Sequence, residues 1–296
     1  MKKLLKFLAY TIGLLLVIVL GFYGYAHYNT EQGLAKRYEV NDKPLVLAND
    51  AATLAYGARL FIAKGCADCH AANAQGKLVF DGGPVIKLIA PNLTAGGVGQ
   101  NLTADDIARA IRHGVGQNGR PLVFMPSTDY KDLSDADTAA IISHIKSLPV
   151  SDNQPGTSEI RPLGRIMYTL HQFPLLQAED IDHSPRDRLA PPAAVTAEYG
   201  KYLAQTCVGC HGENFAGQHV PGTPPEFKPA ANLTQAALKN WTQKDFQTAL
   251  RTGKRPDGSA IDPFMPWPAL STMTDDEIAA LWVYISGLPP VENKPK

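Results

Sequence analysis

Two short stretches of the sequence share one pattern: two cysteines separated by two residues, followed at once by a histidine. The first is KGCADCHAA, with Cys66, Cys69 and His70, and its counterpart TCVGCHG lies 141 residues later. The chain has four cysteines, and these two stretches use all of them. No cysteine therefore remains for a disulfide framework, and the fold has to bring each pair of thiols and its histidine to one place.

The spacing is typical of covalent attachment of c-type haem. Two thiols at this separation can add to the two vinyl groups on one porphyrin edge, and the histidine is then held beneath the iron as an axial ligand. The sequence predicts two covalently attached c-type haems (iron), held by Cys66, Cys69 and His70, and by Cys207, Cys210 and His211. A zinc site needs four ligands where each cluster supplies three, and a thioredoxin-like motif needs a βαβ setting that the sequence does not show.

The N-terminal segment predicts a membrane anchor. Three lysines precede a nearly continuous apolar run of 19 residues, 7–25, which is long enough to span a bilayer as a helix. Tyrosines stand where an interfacial aromatic belt is expected, at Tyr23, Tyr25 and Tyr28. A cleaved signal peptide is the rival interpretation, but its apolar region is usually shorter and no convincing A-x-A site follows. We therefore expect an uncleaved transmembrane helix.

The orientation of this helix follows from the haems rather than from charge. Lys36, Arg37 and Lys43 follow the apolar run and balance the three lysines before it, so the positive-inside rule decides little. The c-type haems of bacterial proteins are attached on the outer face of the cytoplasmic membrane. We expect a single-pass protein of the cytoplasmic (inner) membrane with its haem domains facing the periplasm.

The rest of the chain is a duplication. IAPNLTAGG matches PAANLTQAA, LTADDIARAIRHG matches WTQKDFQTALRTG, and both copies contain FMP before a C-terminal segment ending in SLP or GLP. We call residues 51–150 the first repeat and 193–292 the second repeat. The expected organisation is a transmembrane anchor at 1–28, a linker at 29–50, cytochrome c domain 1 at 51–150, an interdomain connector at 151–192 and cytochrome c domain 2 at 193–292.

The repeats predict an all-α fold, with the N-terminal transmembrane helix followed by two tandem domains. Apolar residues recur at helical spacing near the end of each repeat, and Pro149 and Pro289 end both segments. Short helices are expected before each motif, near 54–61 and 198–203, and RIMYTLHQF predicts one helix packed between the domains. Four capping boxes are expected: Thr103 with Asp106, Thr242 with Asp245, Ser134 with Asp137, and Thr274 with Glu277.

The second axial ligand of each iron is predicted to be a methionine. Met125 lies 55 residues after His70, and Met265 lies 54 residues after His211. Both stand in FMP at the end of a Gly- and Pro-rich loop, which can cross a haem face and present the thioether. A thioether ligand favours the reduced iron and closes the site to substrates. The metal ligands are thus expected to be His70, Met125, His211 and Met265, with no catalytic residue.

Other candidates carry less weight. Met167 and Met273 are expected to be packing residues, and the histidines at 113, 144, 171, 183 and 219 ordinary structural or surface residues. Arg112 and Arg251 do repeat, and they either approach a haem propionate or stabilise a helix end. The formal net charge is zero, with no basic face of the kind that binds nucleic acid.

Taken together, the motifs resemble a class I cytochrome c repeated twice. They are similar to those of the cytochrome c subunits of bacterial membrane-bound alcohol and gluconate dehydrogenases, over residues 51–291 and including IRPLGRIMYTLHQF. That family typically carries three haems, whereas this sequence has motifs for two. The resemblance implies redox protein partners: a dehydrogenase donor, and an oxidase or another cytochrome as acceptor.

The sequence therefore predicts a membrane-anchored periplasmic dihaem cytochrome c, an electron-transfer protein rather than an enzyme. It would transfer electrons between a dehydrogenase or quinol-oxidising donor and a respiratory acceptor, either alone or as a subunit of a dehydrogenase complex. The alternative is a peroxidase-like dihaem enzyme in which one distal ligand is labile. A haem-based sensor is disfavoured because the chain shows no output domain.

Overall fold

The computed structural model describes residues 1–292 and is mainly helical, as the sequence predicts. Short 3-10 turns accompany the helices at Val98–Gln100, Ser127–Asp129, Gln177–Asp180 and Gln205–Cys207. The α-helices in this range are α1 (Lys2–Ala35), α2 (Ala51–Ala63), α3 (Cys66–His70), α4 (Ala104–His113), α5 (Asp135–Ser147), α6 (Pro162–Thr169), α7 (Ala197–Ala204), α8 (Val208–His211), α9 (Gln235–Leu238), α10 (Gln243–Thr252), α11 (Trp267–Leu270) and α12 (Asp275–Ser286).

Helix α1 is long and apolar enough to cross a membrane. Its 34 residues extend about 51 Å at 1.5 Å per residue. The apolar run is exposed along its length, and burial against the rest of the protein begins only at Ala26. Within residues 26–35 the helix packs on α6, where Arg165 pairs with Glu31 at 2.7 Å. Helix α6 thus lies against the C-terminal end of α1, so the prediction that it packs between the domains is wrong.

Each repeat is built on a close crossing of its first and last helices. In the first repeat α2 crosses α5 at Gly57, where an added Cβ would lie 2.0 Å from the carbonyl oxygen of Ala140. In the second repeat α7 crosses α12 at Gly200, and a Cβ there would lie 2.0 Å from the carbonyl oxygen of Ala280. Glycine lets the backbones touch at both crossings. The two repeats therefore share one packing solution.

The capping boxes form at three of the four expected positions, at the starts of α4, α10 and α12. At the start of α5, Ser134 does accept from the backbone N–H of Asp137, at 3.1 Å. The Asp137 carboxylate does not complete the box, because it accepts hydrogen bonds from Tyr56 at 2.8 Å and Tyr202 at 2.5 Å. A contact with the second repeat thus replaces the local one.

A small antiparallel sheet, which the sequence analysis does not predict, follows the first motif. It consists of β1 (Lys77–Asp81), β2 (Ile86–Ala90) and β3 (Glu159–Ile160) in the order β1-β2-β3. β2 is buried at four of its five positions, so it lacks the alternation that marks a half-buried strand. Its side chains pack on residues 173–176 of the connector in a second small core.

The two repeats share one main hydrophobic core. It is continuous from Phe61 and Ile141 of the first repeat to Leu203 and Ile278 of the second. The Arg59 guanidinium crosses the boundary to the buried Glu277 carboxylate, at 2.5 and 2.9 Å. The repeats are thus packed together and not merely joined by the connector.

Candidate haem sites

Each motif histidine is oriented by a backbone carbonyl. The Nδ1–H of His70 donates to the carbonyl oxygen of Pro91 at 3.0 Å, and that of His211 donates to Ala231 at 2.7 Å. With Nδ1 protonated, Nε2 carries the lone pair that binds a metal. Burial lowers the pKa of both His70 and His211, which favours this neutral form. Both histidines are therefore prepared as iron ligands.

The Asn-Leu-Thr sequence that repeats after these carbonyls holds them in place. Asn92 Oδ1 accepts from the backbone N–H and hydroxyl of Thr94, and its Nδ2 donates to the carbonyl of Ser151 at 2.7 Å. Asn232 and Thr234 repeat the arrangement with the carbonyl of Val291. The chain beyond the last helix of each repeat is thus tied to the loop that orients the histidine. The sequence shows this repeat, but its role emerges only from these contacts.

The four thiols lie in apolar surroundings. Burial raises the pKa of Cys66 to about 12 and that of Cys207 to about 11. A redox-active dithiol or a zinc thiolate requires the opposite shift. Within residues 1–292 no three or more His, Cys, Asp or Glu side chains are arranged to hold a metal ion by themselves. The chemistry of these thiols fits attachment to an apolar porphyrin edge.

Both methionines are presented by the same turn. Pro126 has φ −79° and ψ 55°, and Pro266 has φ −78° and ψ 47°. The carbonyl of Met125 accepts from the backbone N–H two residues on at 2.8 Å, and that of Met265 does so at 2.7 Å. These are inverse γ-turns, which fix the chain direction beside each methionine. The two thioethers are thus delivered by equivalent backbone geometry.

In the second repeat the cavity itself is visible. It is lined by Cys207, His211 and Met265, with apolar walls that include Phe246 and Leu250. We call Cys207, Cys210, His211 and Met265 together the second site. The buried Met273, two residues before the start of α12, also borders the cavity. The apolar lining and the prepared histidine match the chemistry of a porphyrin.

The first site comprises Cys66, Cys69, His70 and Met125. Cys66 and Met125 are partly buried and pack on the same core cluster. Phe124, just before the methionine, has φ 58°, a conformation that is unusual for an aromatic residue. Its backbone N–H donates to the carbonyl of Leu175 at 2.8 Å, so the connector holds this loop in position.

The repeated arginines are structural. Arg112 is fully buried, donates to the carbonyl of Leu133 at 2.8 Å and pairs with Asp135 at 2.7 Å, at the start of α5. Arg251 pairs with Asp275 at 2.6 Å at the start of α12. Both therefore fix the start of the last helix of their repeat, which decides between the two roles that the sequence leaves open.

His113, expected to be an ordinary residue, lies in a buried polar cluster. Its Nδ1 is 3.0 Å from Nδ1 of His183, and its Nε2 is 2.9 Å from Asp42 and 3.2 Å from Arg188. Burial lowers the pKa of His113. The cluster joins the segment after α1, the end of α4 and the connector.

The family model for cytochrome c matches residues 54–149 and 197–289, one segment in each repeat. The matched segments contain both Cys-x-x-Cys-His motifs and both FMP loops. The fold and the two sites define a c-type cytochrome with two haem-binding domains. The chain belongs to the cytochrome c family, carries two covalently attached c-type haems and is an electron carrier.

Relatives of known description agree with this family. A "Diheme cytochrome c-type" protein of Cereibacter sphaeroides is 26% identical over 95% of this chain and 98% of its own length. The cytochrome c subunit of alcohol dehydrogenase (quinone) from Gluconobacter oxydans is 34% identical over 32% of this chain. That of gluconate 2-dehydrogenase from Pantoea cypripedii is 33% identical over 33% of it. The matches span 22% and 24% of those two subunits.

Proposed function

We propose that this chain is a membrane-anchored dihaem cytochrome c of the periplasmic face, with both irons closed by His/Met ligation. The proposed ligands are His70 and Met125 in the first site and His211 and Met265 in the second. When bound, each haem supplies a one-electron iron couple. The protein's part is to hold both axial ligands in place through the electron transfer, which keeps reorganisation small.

The observation that carries this proposal is the equivalence of the two sites. Each histidine donates Nδ1–H to a backbone carbonyl, and each methionine precedes a proline turn of the same geometry. A peroxidase-like enzyme would need one site to differ, with an open or easily displaced ligand. The matched supports of Met125 and Met265 favour a carrier over that alternative.

The test is the optical spectrum of the purified full-length protein, oxidised and reduced, with carbon monoxide added to the reduced form. We expect a weak sulfur-to-iron charge-transfer band from both irons and no carbon monoxide adduct. An adduct at one iron, or loss of the band at one iron, would contradict the carrier assignment and favour the peroxidase-like alternative.

The anchor and its orientation rest on α1. Its exposed apolar run needs a membrane to cover it, and covalent attachment of c-type haem favours the periplasmic side for the domains. We expect the protein to stay with inner membranes after an alkaline wash, and protease added to intact spheroplasts to digest the haem domains. Recovery in the soluble fraction would point to a cleaved signal peptide.

The donor and acceptor are proposed from the relatives. Two of them are cytochrome c subunits of dehydrogenases, so we propose a dehydrogenase or quinol-oxidising complex as donor and an oxidase or another cytochrome as acceptor. Stopped-flow mixing of the reduced protein with membranes that lack it would test the acceptor side. Oxidation no faster than autoxidation would count against an oxidase partner.

A further inference from the structure

Lys64 occupies the C-cap position of α2, two residues before Cys66 of the first site. Its side chain nevertheless lines the cavity of the second site, together with Cys207, His211 and Met265. The residue is 9% exposed. The first repeat thus places an ammonium in the haem cavity of the second repeat.

This ammonium is unpaired. Among residues 1–292, Nζ of Lys64 has no hydrogen-bond or ion-pair partner, and its nearest aromatic ring is Tyr202, 5.9 Å away at the centroid. Arg59, which lines the same cavity, is engaged by Glu277. The lysine backbone is held firmly, because its carbonyl accepts from the buried Tyr130 hydroxyl at 2.6 Å. Withdrawing a cation from bulk water without a partner costs free energy.

The ammonium influences the thiols of both sites. Burial lowers the pKa of Lys64, and the carboxylates of Asp137 and Glu277 oppose that shift. At Cys207, Lys64 is the main influence that opposes the burial-raised pKa of the thiol. At Cys66 its influence on the pKa is smaller than that of Cys69. The ammonium thus lies near the thiols of both sites, and its place on the wall of the second cavity favours the second site.

The two repeats differ at this position. Gln205, two residues before Cys207, is the neutral counterpart of Lys64. Nearby carboxylates, by contrast, are matched: Asp68 stands inside the first motif, and Asp129 of the first repeat lies against its counterpart Gly209, where a Cβ would be 2.6 Å from Oδ1. Lys64 is therefore one charge that differs between the surroundings of the two sites, and the exposed Lys77 near Cys69 is another.

We propose that Lys64 raises the reduction potential of the haem of the second site and so draws electrons from the first site to the second. Reduction removes one positive charge from the iron, and a nearby buried cation stabilises the reduced state. The inference rests on the proposed dihaem carrier function and adds to it the internal direction of transfer.

The experiment is a spectroelectrochemical titration of the full-length holoprotein in detergent. Lys64→Met removes the charge and keeps an unbranched side chain. We expect it to lower the potential of the second-site haem relative to the first, changing the equilibrium constant for electron sharing by about tenfold towards the first site. Lys64→Arg keeps the charge and should stay near the wild type. Met265→His, which lowers the potential of its own haem, assigns the two waves.

The matched control is Lys43→Met, which removes an exposed lysine that pairs with Asp187 and should leave both potentials unchanged. If Lys64→Met attaches haem poorly, Lys64→Gln copies the residue that the second repeat carries at 205. Equal shifts at both haems, a larger shift at the first, or no shift would overturn the inference. If the protein binds no carbon monoxide and Lys64→Met leaves both potentials unchanged, only this inference is contradicted. If one iron of the wild type binds carbon monoxide, the proposed carrier function is contradicted.

Discussion

Arg59 and Tyr202 occupy equivalent positions in the two repeats, and each reaches a carboxylate at the start of the other repeat's last helix. Arg59 contacts Glu277 at 2.5 and 2.9 Å, and the Tyr202 hydroxyl donates to Asp137 at 2.5 Å. The interface is therefore approximately twofold, and both carboxylates are buried. The same helix ends that support the haem sites also hold the repeats together.

Removing the arginine should destabilise the protein strongly. Arg59→Met leaves the buried Glu277 carboxylate without its cation, and we expect the free energy of unfolding to fall by about 2–3 kcal/mol. The double variant with Glu277→Gln should lose less, because no buried charge is then left unpaired. Guanidinium unfolding followed by far-ultraviolet circular dichroism measures both.

The control for this pair is Lys43, whose contact with Asp187 is mostly exposed, with 82% and 62% of the side chains accessible. Lys43→Met should change the free energy of unfolding by less than about 1 kcal/mol. A loss at Arg59 no larger than that at Lys43 would show that the ion pair between the repeats contributes little to stability.

The glycines at the helix crossings should not tolerate a methyl group. In Gly57→Ala or Gly200→Ala, Cβ would overlap a carbonyl oxygen of the crossing helix, 2.0 Å away in each repeat. We expect each substitution to cost about 2 kcal/mol or more as the helices separate. Gly287→Ala is the control, because its Cβ meets neighbours only at 3.5 Å. Thermal unfolding of the three variants checks the expectation, and similar melting temperatures for all would refute it.

Replacement of the proposed methionine ligands should open one iron at a time. Met125→Leu and Met265→Leu keep an apolar side chain of similar volume but remove the thioether, so each should lose part of the charge-transfer band and bind carbon monoxide at one haem. Met273→Leu is the matched control, because Met273 borders the same cavity as Met265. If Met273→Leu opened the second site while Met265→Leu did not, the ligand assignment there would be wrong.

Stability should fall on mild acidification because of His113. Burial holds its folded-state pKa below the ordinary value of about 6.5, so the unfolded chain binds the proton more readily. The stabilisation is present above that value and declines as the pH falls below it. The charged and titratable groups that face the His113 ring are Asp42, Arg188 and His183. Burial acts to raise the pKa of Asp42, but hydrogen bonds from His113 and Arg188 lower that pKa overall.

Melting temperatures measured between pH 7.5 and 5 test this expectation. His113→Gln should be less stable at pH 7.5 and should show a flatter pH dependence than the wild type. The exposed His171, in the positive-φ region, serves as the control through His171→Asn, since asparagine tolerates that conformation. An unchanged slope in His113→Gln would exclude this histidine as the source of acid sensitivity.

Local patterns predicted much of this structure. The two Cys-x-x-Cys-His motifs, the FMP loops and the helices at the ends of each repeat all follow from short-range spacing and capping residues. Three capping boxes formed because their partners lie within four residues of each other. The box at Ser134 failed because Tyr202, distant in sequence, competes for Asp137.

The remaining features depend on contacts between distant segments. No local pattern in α2 shows that Lys64 enters the cavity of the other repeat, since that depends on how the repeats pack. The strand Ile86–Ala90 has a nearly continuous apolar pattern, which does not separate a strand from a buried helix. The glycines at 57 and 200 show no sequence signal beyond their repetition.

The contact between α1 and α6 has a mechanical consequence. A flexible linker between the membrane and the haem domains would let the domains reorient freely above the bilayer. Helix α1 continues unbroken to Ala35, and Arg165 and Thr169 of α6 hold its C-terminal end through Glu31 and Asn29. With the apolar run in a bilayer, α1 and its contact with α6 would form a rigid connection between the membrane and the haem domains. As the proposed anchor, α1 would fix the height and tilt of the haem domains and would favour partners that dock at the same level above the same membrane.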